Sequence, residues 1–225
     1  MLSLKQGLSL ESIRLQGAWK PSDEASLEGW YQKGEGITLN GSDVSKWDDS
    51  SGNGIHMVQA TESEQPAYSS GVLTFDSSAT QNLQSTGQIS LSGDFTIGAK
   101  VHLASGGGVF LGDNTTTGEF IRFSSTSEFR VRIDNATAVN IDKDSGTWLE
   151  DAYMVLTRVS NVLTLYWKGT AQADTETLSG TADIDAIGVR RTDLNPYDGD
   201  ISEIQIYSSA STGLTANLND YLSKL

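Results

Sequence analysis

Cysteine is absent from this 225-residue chain, proline occurs 3 times and histidine 2 times. Without cysteine there are no disulfides, no thiolate metal sites and no thiol nucleophile, so burial and strand pairing must hold the fold. The two histidines, His56 and His102, allow neither a Ser-His-Asp constellation nor a two-histidine metal spacing, and both are expected at solvent-facing strand positions. Basic residues are also scarce, 15 Lys and Arg against 29 Asp and Glu, which gives a formal charge of -14 and a pI near 4.4. Such a chain repels phosphate backbones and anionic lipid surfaces, which argues against nucleic-acid and membrane partners. Long apolar runs are missing as well. Residues 1–15 contain no run of the roughly 7 to 15 apolar residues of a secretion signal, and no window approaches the about 18 of a membrane span. The expectation is a soluble protein made without an export signal.

What is present is glycine, 23 residues of it, among many serines and threonines, a composition of short strands joined by tight turns. The length suits a single all-β domain with an N-terminal arm. Phe95, Ile97, Ala99, Val101 and Leu103 alternate with period two, predicting a strand with one buried face. Two further alternating runs follow. If Ile121, Phe123, Phe129, Val131 and Ile133 face the core, then Arg122, Arg130 and Arg132 share the opposite face, an arginine cluster on an acidic protein. Residues 153–159 and 162–167 flank Ser160-Asn161 as a hairpin. Thr215 is placed to cap a helix whose Leu218, Tyr221, Leu222 and Leu225 recur at helical spacing. At the other end Leu2, Leu4, Leu8 and Leu10 alternate with polar neighbours. They read as an arm, residues 1–25, that packs on another subunit or partner, or else as a first strand laid along the domain's own edge.

The densest turn signal is Trp47-Asp48-Asp49-Ser50-Ser51-Gly52-Asn53-Gly54, where Asp and Asn side chains bond nearby backbone and glycines supply positive φ. The residues Trp47, Asp49, Ser51, Gly52, Asn53 and Gly54 resemble the turn of the laminin-G-like jelly rolls of the concanavalin A-like lectin and glucanase superfamily. The likeness extends to Leu27-Glu28-Gly29-Trp30-Tyr31, Gly36-Ile37-Thr38-Leu39, Gln59, Pro66, Leu73-Thr74-Phe75-Asp76, residues 197–207 and the terminal residues 214–225, with Ser77 where that family has a glycine. The resemblance implies an antiparallel two-sheet jelly-roll sandwich over residues 26–225, ending in a short helix.

Function is less legible, because sites are grafted onto one fold in many ways. Glucanases of this superfamily carry a Glu-x-Asp-x-Glu strand. None occurs here, and the nearest pairs, Asp174 with Glu176 and Asp183 with Asp185, read as surface acids at turn ends, so no enzyme is expected. Some relatives hold calcium at a loop rim. The oxygen-rich loop with Asp193, Asp198 and Asp200 is the candidate, against the alternative of turn-forming side chains that satisfy their own backbone. For sugar, Tyr197 beside Asn195 and Asp193 offers a ring and hydrogen-bonding partners, although the family commonly turns an aromatic inward at this place. Trp30, Trp47, Trp148 and Trp167 are expected in the core. An acidic, cysteine-free jelly roll behind an arm looks like the virion structural proteins of tailed phages. The first reading is therefore a non-enzymatic capsid or tail decoration protein, located in the virion, whose partners are other virion proteins and copies of itself. A lectin-like module for host glycans is the second reading and a glycoside hydrolase the third.

Overall fold

Period-two alternation punctuated by glycine and Asx turns gives antiparallel strands throughout the computed structural model, which describes residues 18–225 except 115–117, 135 and 191. The leucines Leu2, Leu4, Leu8 and Leu10 lie outside the described residues. In chain order the strands are β1 (Leu27–Tyr31), β2 (Ile37–Asn40), β3 (Asp43–Trp47), β4 (Met57–Val58), β5 (Ala67–Ser69), β6 (Val72–Phe75), β7 (Leu83–Leu91), β8 (Phe95–Leu103) and β9 (Gly108–Gly112). They continue as β10 (Phe120–Phe123), β11 (Glu128–Arg132), β12 (Val139–Asp142), β13 (Asp151–Val159), β14 (Val162–Trp167), β15 (Thr170–Thr177), β16 (Ala182–Ile187) and β17 (Gly199–Tyr207), and the helix α1 (Thr212–Ser223) follows. One run of ladders is β15–β14–β13–β8–β17–β1. The other is β12–β11–β10–β9–β16–β7–β4–β3–β2. Because β17 also pairs with β6, β6 with β5 and β5 with β3, the two runs join into a nearly closed antiparallel system. Aromatic residues from both runs, among them Trp47, Phe95, Phe110, Phe123 and Phe129, fill one core with Phe75 of β6 and Trp148 of the β12–β13 connection.

Strand β8 departs from the expectation of a single buried face, since Thr96 is fully buried and so is the outward side at Gly98. The reason is α1, which lies on β8 and β13. A methyl group at Gly98 would meet Leu218 Cδ2 at 2.9 Å, so glycine is what lets the helix come close. The helix begins earlier than its apolar spacing suggests. Ser211, not Thr215, is its cap, accepting from Leu214 N at 3.0 Å, while Thr215 sits inside the first turn and donates to Ser211 O. Among the described residues no helix is long and apolar enough to cross a membrane.

The turn after β3 is built on Asp49, 8 % exposed, whose Oδ1 accepts from the backbone of Trp30 and Ser51 and whose Oδ2 accepts from Ser51 Oγ and the backbone of Gly54 and Ile55. Gly52 and Gly54 take φ of 94° and 77°. At the far side, Glu203 of β17 is wholly buried and accepts from Trp30 Nε1 and Lys33 N, both at 2.6 Å, and from Gln205 Nε2 at 2.9 Å. Burial pushes its carboxyl above the ordinary range, against those hydrogen bonds.

Just before β13, Glu150 accepts from Trp167 Nε1 at 2.7 Å and pairs with Lys168 at 3.0 Å and Lys143 at 3.4 Å. The hydrogen bond from Trp167 and the contact with Lys168 lower its carboxyl from 4.5 to about 2. A carboxylate held lower in the fold than in the unfolded chain adds stability that is complete above the unfolded value and disappears as pH falls through the folded one. Thermal melts from about pH 5 to about pH 2 should therefore show Glu150→Gln losing less stability than the parent chain. Parallel profiles would mean that these half-exposed pairs contribute nothing.

Candidate functional site

Strands β10 and β11 pair in register, with Arg122 opposite Arg130 and Phe120 opposite Arg132, and β12 places Asn140 opposite Arg130. Their alternate residues Ile121, Phe123, Phe129 and Val131 are 0 to 3 % exposed. Burying that apolar set commits the arginines to the outer face, as the pleat requires.

A fourth arginine reaches the same face from beyond β16. Gly188, with φ 88°, turns the chain, and Arg190 and Leu194 then exchange backbone hydrogen bonds at 3.2 and 2.7 Å. The Arg190 guanidinium donates to Asn195 Oδ1 through Nε (3.0 Å) and Nη2 (2.8 Å) and to Gly118 O through Nη1 (3.3 Å). Its Cζ lies 4.7 Å from the Phe120 ring centroid and that of Arg122 lies 5.1 Å from it, so one aromatic ring carries two guanidiniums. Arg132 donates from Nε to Ala136 O at 3.0 Å.

Arg122 and Arg130 are held differently. Among the described residues neither forms an ion pair with a carboxylate, and the Nε of each is buried without a hydrogen-bond partner. Burial and the charge of Arg130 both weaken the hold of Arg122 on its proton, with Glu128 acting the other way. The Glu128 carboxylate itself accepts from the Ser124 hydroxyl. Like charges placed directly opposite each other on a sheet oppose folding by about 0.2 to 1 kcal/mol. Here they persist in a chain with 29 acidic residues. The arginines line an open concavity of about 420 Å³ with Phe120, Ala136 and Ala138 on its walls. Beyond Arg122 a second concavity of about 440 Å³ is bounded by Gly107, Gly108, Ser124 and Asn195. Each is within the roughly 300 to 1,000 Å³ of small-molecule sites.

The residues singled out from the sequence fall elsewhere or take other roles. Tyr197 is fully buried, donates to His102 O at 2.9 Å and packs edge-on against Phe75, so it offers no stacking face. Burial lifts its phenol well above the usual range. Asp193 accepts from Gln84 Nε2 at 3.0 Å and Asn114 Nδ2 at 3.3 Å, which makes it a brace to β7. Of that trio only Asn195 borders the arginine face, as the acceptor for Arg190. The calcium candidates are not gathered either. Asp200 accepts from Thr74 Oγ1 at 2.7 Å, and Asp193 is engaged by Gln84 and Asn114. No group of three or more His, Asp or Glu that could hold a metal occurs among the described residues. Asp185 is not a turn-end surface acid. It lies inside β16, 3 % exposed, accepting from Asn114 N at 2.7 Å, while Asp183 accepts from Ser90 Oγ at 2.6 Å. The arginine face itself was legible from alternation, and the same alternation puts Phe120 on it. Arg190 had no local signal, because a turn rather than a strand register delivers it.

No protein-family model matches the chain, and no curated protein does. Among solved structures it is similar to the Trypanosoma rangeli sialidase in complex with sialic acid, at 17% identity and a TM-score of 0.58, covering 89% of this chain and 33% of that one. The same sialidase in another structure gives 15% identity and a TM-score of 0.56, over 88% and 33% of the two chains. The receptor-binding domain of botulinum neurotoxin type G gives 13% identity and a TM-score of 0.51, over 89% and 51%. The chain thus spans 33% of the sialidase and 51% of the toxin domain, and the likeness is one of β-rich fold. These findings correct the expectation of a tailed-phage virion structural protein with virion partners, since they lead to sialidases and a toxin receptor-binding domain.

Proposed function

We propose that the chain is a lectin-like jelly-roll module, its two runs of ladders packed as a sandwich, that binds glycans at the outer face of β10, β11 and β12. The observation that carries this reading is the open concavity of about 420 Å³ where hydrogen-bond donors surround the Phe120 ring. Sugars are recognised by such a mixture of fixed polar groups and an apolar wall. Support comes from the neighbours in fold, one a sialidase solved with sialic acid and one a receptor-binding domain. The site holds its ligand rather than cleaving it. Most glycoside hydrolases use a pair of carboxyl groups, and sialidases use a tyrosine nucleophile, whereas the described residues lining the concavity include neither a carboxylate nor a tyrosine.

The test is the full chain on a panel of immobilised glycans, with reducing-sugar release followed in parallel. Retention on part of the panel without release is the expected result. A folded chain that is retained by no glycan sinks the reading, and release of sugar sinks the claim of binding without cleavage.

A further inference from the structure

Resting on that glycan-binding reading, we infer that the group recognised is a single anion on a sugar, a carboxylate or a sulfate, seated between the guanidiniums of Arg122 and Arg130. Directly opposed residues on paired strands have Cβ atoms about 4.5 to 5.5 Å apart, so these two side chains spring from one spot and can converge on one set of oxygens. Neither guanidinium has a hydrogen bond or ion pair to a protein group among the described residues, and both side chains line the open concavity, so their terminal N–H groups are available to a ligand there. A planar guanidinium matches the paired oxygens of a carboxylate or sulfate. An anion placed there would remove the like-charge repulsion between the two opposed guanidiniums. The Phe120 ring under Arg122 limits the swing of that guanidinium before the ligand arrives.

One observation narrows the class. The net charge of -14 repels long polyanions, so one isolated acidic group on a short glycan fits where a phosphate backbone does not.

The experiment is titration of the full chain with lactose, sialyl-lactose, sulfated lactose, sodium acetate and sodium sulfate, reading affinity and the side-chain Nε–H NMR signals of Arg122 and Arg130. The expected result is at least about tenfold tighter binding of one or both acidic lactoses than of lactose, with both arginine signals moving. The acidic lactose that binds identifies carboxylate or sulfate as the source. The double variant R122Q/R130Q should bring the preference below about twofold with a melting temperature equal to or above that of the parent. R130K, which keeps charge but loses the planar fork, should fall between. Equal binding of lactose and its acidic forms overturns the anion while the glycan reading stands. Arginine signals that move with acetate or sulfate, when no lactose derivative binds, uphold the anion and overturn the glycan reading. Signals that move with nothing overturn both.

Discussion

Replacing Arg158 with methionine will lower the stability of the fold by about 3 to 5 kcal/mol, read as a drop in the urea midpoint at unchanged slope. Arg158 stands near the end of β13 and is 1 % exposed. It donates through Nε to Gly93 O at 2.9 Å, through Nη1 to Gly180 O at 2.7 Å and through Nη2 to Leu91 O at 3.0 Å. One guanidinium therefore serves the last carbonyl of β7, that of Gly93 in the β7–β8 turn and that of Gly180 in the β15–β16 connection. Its Cζ also lies 4.7 Å from the buried Phe95 ring. Methionine fills much of the stem's volume, so a cavity is not the main loss. What is lost is the pairing of one buried carbonyl, Leu91 O, and of two part-buried ones, at roughly 1 to 3 kcal/mol for each one left unsatisfied. Arg158→Lys keeps a charge but reaches fewer of them, so it should recover only part of the loss. A midpoint for Arg158→Met within about 1 kcal/mol of the parent would show that water reaches these carbonyls and that the buried arginine is dispensable.

Arg158 also marks where reading by pattern stops. In residues 153–159 it is the lone charge in an apolar run, and period-two logic assigns it a face without saying what that face meets. Its partners lie 22 to 67 residues away in sequence, in two loops and at the end of β7. Local chemistry was legible wherever one segment decides its own conformation, as in the strand over residues 27–31, the hairpin at Ser160-Asn161 and the positive φ of Gly52 and Gly54. It failed where a distant element decides. The outward side of β8 is buried because α1 covers it, Tyr197 turns inward because Phe75 and Phe123 make room for it, and Asp185 is buried because the chain at Asn114 folds over it. The arginine face fell between these cases. Alternation set which side of β10 and β11 the arginines occupy, but only the antiparallel register puts Arg122 against Arg130, and only the turn at Gly188 adds Arg190.

The second large effect is expected at Asp49, where alanine should cost about 3 to 5 kcal/mol in urea unfolding, because a buried carboxylate gathers donors that nothing else can reach. Oδ1 accepts from Trp30 N at 3.0 Å and Ser51 N at 2.8 Å. Oδ2 accepts from Ser51 Oγ at 2.7 Å, Gly54 N at 3.0 Å and Ile55 N at 3.3 Å. The Trp30 bond ties the turn to β1, whose other edge pairs with β17, so losing it loosens an edge strand as well as a loop. Asparagine separates shape from chemistry. Both carboxylate oxygens face donors, so whichever way an amide is turned, its NH₂ meets an N–H or O–H donor, and Asp49→Asn should cost about 2 to 4 kcal/mol despite equal volume. Ser51→Ala removes one hydroxyl and should cost about 1 kcal/mol. If asparagine melts like the parent while alanine does not, the turn needs only a filled volume and a single acceptor, and the account of a carboxylate-centred turn is wrong. If all three order as alanine, asparagine, serine variant from most to least damaging, the hydrogen bonds to the carboxylate set the stability of this corner.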